Sequence, residues 1–117
     1  MALERLTPRE RFLLGQGVQA AAHGPFFDDD DEFGTLFGLS RDEVAEVARA
    51  WPSVDDGEET VALALNGAVG HLLGYPHGRM KHWPRFISAP PGELRRVWTK
   101  WRCLKGWDDP GHAHLLL

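Results

Sequence analysis

The chain has 117 residues, 26% of them charged and 43% hydrophobic, with a formal net charge of −4 and one cysteine. That length fits a single domain, residues 1–117, able to bury a core without staples, because a domain of this size hides roughly two thirds of its extended-chain surface. The lone Cys103 excludes an intramolecular disulfide framework and fits a reducing, cytoplasmic setting, and the mixed charges from Glu4 onward leave no apolar run like a signal peptide's core.

Thr7, Pro8 and Glu10 open a first helix as N-cap, N1 and N3 of a capping box, and Gly24-Pro25 closes it after His23. Small residues fill its second half, which predicts close packing on another helix, namely the glycine-bearing face of the central one. Pro25-Phe26-Phe27, five successive acids (Asp28, Asp29, Asp30, Asp31, Glu32) and Phe33 to Leu39 read as a solvated acidic loop between two aromatic anchors, with a short turn over 33–37 ended by Gly38. Ser40 and Glu43 form a second capping box, followed by Val44, Val47, Ala48 and Trp51 at the spacing of a one-sided helix that stops at Pro52.

Thr60 to Gly78 carries no Asp, Glu, Lys or Arg and reads as the buried centre of the fold. Gly67 and Gly70 each cost about 1 kcal/mol against alanine in a helix interior, so they imply close approach by the backbone of a neighbouring element, and Gly74 takes the C′ position before Pro76. Asn66, His71 and the glycines dilute the stretch well below a membrane span. Arg79 to Ser88 reads as an irregular strap with at most one helical turn. A last helix opens near Pro90-Pro91, buries Leu94, Val97, Trp98, Trp101 and Leu104, turns Arg95, Arg96, Lys100, Arg102 and Cys103 outward, and ends at Gly106. The tail 108–117 lacks periodicity and is expected to be loose. The expected fold is all-α, one compact domain of about four principal helices (7–23, 40–51, 59–73 and 90–105).

The run F-G-T-L-F-G-L-S-R-D-E-V from Phe33, followed by A-W-P, A-L-N and L-L-G-Y-P-H-G, resembles small uncharacterised bacterial proteins of similar length over about Phe26 to Arg102. The resemblance implies a bacterial, cytosolic protein and carries no assigned chemistry.

Charge is divided along the chain. Asp28 to Glu59 holds twelve acids against Arg41 and Arg49, a net of −10, and Arg79 to Trp107 holds eight bases against Glu93, a net of +7. The two segments either face one another or meet a charged partner. His71, His77 and His82 lack the spacing of a zinc site, and the acidic run lacks the central glycine and terminal Glu of a calcium loop, so no metal or cofactor is expected. His71, on a mostly apolar helix, reads as a neutral ring hydrogen-bonded inside the fold.

The leading expectation is a non-enzymatic module that binds another protein, in the manner of a toxin-neutralising or regulatory partner, through Asp28, Asp29, Asp30, Asp31 and Glu32, through Arg95, Arg96, Lys100 and Arg102, or through both sets. A nucleic-acid-associated protein using the basic last helix is the alternative, disfavoured by the negative net charge. A small enzyme or ligand binder centred on His71, Tyr75, His77, His82 and Trp83 is the third.

Overall fold

Capping chemistry sets the element boundaries. In the computed structural model, residues 1–107 are described; the 108–117 tail, with His112 and His114, lies outside the described residues. Thr7 Oγ1 accepts from the Glu10 N–H at 3.1 Å while Glu10 Oε1 accepts from the Thr7 N–H at 2.8 Å, launching α1 (Pro8–His23). Ser40 and Glu43 repeat the exchange at 3.1 and 3.0 Å to launch α3 (Arg41–Ala50). α4 (Glu59–Gly74) begins without a side-chain cap, whereas α6 (Pro91–Lys105) starts on a proline and ends on Gly106 at φ 78°, a left-handed conformation in which glycine carries no Cβ penalty.

The acidic run departs from the expected loop. Asp29 accepts from the Glu32 N–H at 3.0 Å, and Asp30, Asp31 and Glu32 form the first turn of α2 (Asp30–Phe37), a two-turn helix rather than a short turn at 33–37. Carboxylates suit that position because a helix N-terminus presents unsatisfied N–H groups and the positive end of the dipole. Phe33 and Phe37 fall at i and i+4 and stack with centroids 4.0 Å apart, so the helix also pairs two core rings.

The architecture is all-α among the described residues: four longer helices, α2, a 3₁₀ turn at Ala2–Arg5, another at Met80–His82, and the one-turn α5 (Trp83–Phe86), the last two following one another directly, which is more helix than the single turn expected of the strap. One hydrophobic cluster holds Leu13, Leu14, Phe33, Leu65, Val69, Leu94 and Trp101. The centre is shared, since α1 packs against α3, α4, α5 and α6 while α4 packs against α1, α2, α3 and α6. No described helix is long and apolar enough to cross a membrane.

Glycine placement differs from expectation in two respects. Gly17 of α1 meets the Val69 and Leu72 side of α4, where a Cβ would stand 3.0 Å from Val69 Cγ2, and Gly15 meets the Trp51 ring. Gly67 and Gly70 receive aromatic rings instead: a Cβ there would lie 3.2 Å from Phe37 and 3.1 Å from Trp98. Gly74 is the last helical residue rather than a left-handed C′, because Pro76 holds the preceding Tyr75 extended at φ −82°, and the chain reverses at Gly78, φ 69°.

Candidate functional site

The acids between Glu43 and Glu58 separate into one buried group and a surface set. Asp56 is 1% exposed. Its Oδ2 accepts from the Leu3 N–H and from Trp101 Nε1, each at 2.9 Å, and its carbonyl accepts from Lys105 Nζ at 2.7 Å, so this one residue ties the N-terminal turn and α6 together. Oδ1 is buried and has no partner among the described residues. Nothing in the sequence sets Asp56 apart from Asp55, and its role is structural.

Beside it runs an open trough of 690 Å³ between α3 and the segment 52–61. Val47 and Ala50 of α3, with Pro52, Val54 and Val61, give it an apolar floor, extended by the Met1 side chain. Glu43 and Glu46 stand on the α3 wall and Asp55 and Glu58 on the other. Glu43, Glu46, Val47 and Ala50 fall at i, i+3, i+4 and i+7, which places them along one face of α3 over about two turns, roughly 10 Å. Three of the four carboxylates are occupied locally: Glu43 accepts from Ser40 N–H, Asp55 from Gly57 N–H at 2.8 Å, and Glu46 pairs with Arg49 at 2.6 Å with both side chains about two-thirds exposed. The Met1 α-amino group, 3.6 Å from Glu4, and Arg49 are the neighbouring cations.

Three of the acids expected to bind a partner have partners within the chain, while all five remain exposed. Asp28 pairs with Arg79 at 3.2 Å, Asp29 caps α2, and Asp30 pairs with Arg41 at 2.7 Å. Arg41 also donates to the carbonyls of Ala22 at 3.2 Å and Phe27, and its guanidinium lies 4.5 Å over the Phe33 ring. Asp31 and Glu32 are exposed. On α6, Lys100 pairs with Glu10 at 2.9 Å, and Arg102 donates to Asn66 Oδ1 and lies 5.2 Å over the Trp98 ring, so it is half-buried rather than outward. Arg95 and Arg96 are exposed, Arg96 with Glu93 at 3.9 Å, and Cys103 is exposed as expected.

The ligand set of the third expectation is divided by the fold. His77 Nδ1 accepts from the Arg79 N–H at 2.9 Å, which leaves Nε2–H to donate to the Leu72 carbonyl at 3.0 Å, so both ring nitrogens are used in closing the turn after α4. His71 donates from Nε2 to the Leu36 carbonyl at 2.7 Å. It lines a second, open groove of 600 Å³ with Tyr75, Gly70, Trp98 and Arg102. Trp83 is buried and donates to the Ala89 carbonyl at 2.7 Å, and the half-buried His82 lines neither groove. Among the described residues no three His, Cys, Asp or Glu side chains converge as metal ligands.

Compared with protein-family models, curated proteins and solved structures, the chain matches none.

Proposed function

We propose that the chain is a non-enzymatic binding module that engages another protein through the trough between α3 and residues 52–61. The observation that carries this reading is an apolar floor open to water and walled by four carboxylates, a composition that a partner with apolar anchors and a cationic rim would cover. His71 and His77 of the enzyme alternative are engaged by backbone groups, and three bases of the nucleic-acid alternative already have acidic or amide partners. A regulatory or toxin-neutralising role in a bacterial cytoplasm agrees with the single exposed thiol and with the resemblance noted above.

Native co-purification from the source cells tests the reading. One protein at fixed stoichiometry should accompany the wild-type chain, disappear with Glu46→Lys/Glu58→Lys, and persist with Arg95→Gln/Arg96→Gln. A partner lost only in the arginine variant would move the interface to α6, and a nucleic acid in its place would favour the second reading.

A further inference from the structure

The geometry points to the chemistry of what lies in the trough, and we infer that it is a two-turn amphipathic helix of the partner protein, with apolar anchors flanked on both sides by lysine or arginine. This rests on the binding-module reading and adds the occupant. The two facing walls decide the charge pattern. Glu43 and Glu46 line one and Asp55 and Glu58 the other, so a cationic row is wanted on each side of the apolar stripe rather than on one. The floor decides the anchors. Val47, Val54 and Val61 are at most 9% exposed and present only their tips, while Ala50 and Pro52 are exposed, which gives a shallow, smooth surface suited to side chains laid across it. The α3 face that lines the trough, Glu43 to Ala50, spans about two helical turns, with its acids in the first and the apolar Val47 and Ala50 in the second, and a helix of that length lays cations against the one and anchors against the other.

A helix also fits the state of the rim. Glu46 and Arg49 form an exposed i,i+3 pair of the kind worth only a few tenths of a kcal/mol, so an incoming cation displaces Arg49 at little loss. Glu43 and Asp55 each use one oxygen for a local N–H and keep the other for the occupant. The trough is open along its length, whereas a small organic cation gains affinity where most of its surface is enclosed.

The probe is a capped, fluorescein-labelled leucine–lysine peptide of two to three helical turns, with a leucine–glutamate twin, titrated by anisotropy against the full chain at about 0.15 M salt. The lysine peptide should bind at least about 10-fold more tightly than its twin and lose about 10-fold in affinity with Glu46→Lys/Glu58→Lys. Ala50→Arg, at an exposed floor position that leaves the fold intact, should abolish binding, and Arg95→Gln/Arg96→Gln should not change it. Equal binding of the two peptides, or affinity unmoved by the charge reversal, overturns the inference. So does displacement of the peptide by spermine at matched charge, which would make the occupant a small cation, or self-association of the chain lost in the same variants, which would make it a second copy. If the peptide fails while the co-purified partner still depends on Glu46 and Glu58, the helix is wrong and the module stands. Peptide binding with no partner that depends on the trough removes the module.

Discussion

The run 28–32 and the walls of the trough carry similar numbers of carboxylates and use them in opposite ways. Asp28 and Asp30 reach Arg79 and Arg41, which are 51 and 11 residues away, and those contacts tie α2 to the rest of the molecule. Glu43, Glu46 and Asp55 find partners within three residues of themselves. The first set links separate elements of the fold and the second only its own turns, although both face water, the Asp28 and Asp30 side chains being 75% and 81% exposed. Asp56 shows how sharply this can switch, since it adjoins Asp55 yet bonds to groups 53 and 45 residues away.

The largest effect should come from that pair. Asp56→Ala strands the Leu3 N–H and Trp101 Nε1 in the core, and each buried donor left unmade costs about 1–3 kcal/mol, so the variant should lose roughly 2–6 kcal/mol. Asp55→Ala removes an exposed local contact and should cost under about 1 kcal/mol. Urea unfolding of both decides the matter, and equal losses would erase the distinction between the inward and outward acids.

The arginines of the two regions offer the next contrast. Arg41 is half-buried, bridges Asp30 to the last carbonyls of α1 and covers Phe33, so Arg41→Ala should destabilise by about 1–3 kcal/mol. Arg49 makes only an exposed pair with Glu46, and Arg49→Ala should stay within about 0.5 kcal/mol. It should also strengthen binding of a cationic peptide in the trough by freeing Glu46. Thermal melts read the first difference and anisotropy the second; a destabilised Arg49 variant would mean that the α3 wall is part of the fold's support.

Much of this fold was legible in the sequence because its signals are local. The capping boxes at Thr7 and Ser40, the glycine stop at Gly106 and the stripe Leu94-Val97-Trp101 act within one or two turns, and each lies where the spacing put it. The α2 start was missed because five like charges in a row read as a solvated loop, although Asp29 and Glu32 stand three apart as N-cap and N3. The trough was missed for another reason. It forms where α3 meets residues 52–61, and no periodicity in either segment records that meeting. Nor does Asp56 carry a local sign of burial: its partners, Leu3 and Trp101, are supplied by tertiary packing alone.

Glu10 combines both behaviours and gives the smallest and most specific test. Its carboxylate accepts from its own cap, Thr7 N–H, and pairs with Lys100, 90 residues along the chain. The cap's backbone hydrogen bond is the main cause that holds its carboxyl below the ordinary Glu value of 4.5; burial opposes it, and the hydrogen bond and charge of the Lys100 ammonium add to the lowering. A group with a lowered folded pKa binds protons more readily when unfolded, so stability rises with pH across the interval between the two values. The contribution is therefore complete above 4.5 and lost as pH falls through the lower folded value. Glu10→Gln keeps an acceptor for the Thr7 N–H and removes the charge facing Lys100, so at pH 7 it should cost about 0.2–1 kcal/mol. Lowering the pH should close the gap between wild type and variant, and Lys100→Gln should show the same closing difference. A gap that persists in strong acid would mean that Gln disrupts the cap itself, and a variant indistinguishable from wild type at pH 7 would show that the long-range pair to α6 contributes nothing.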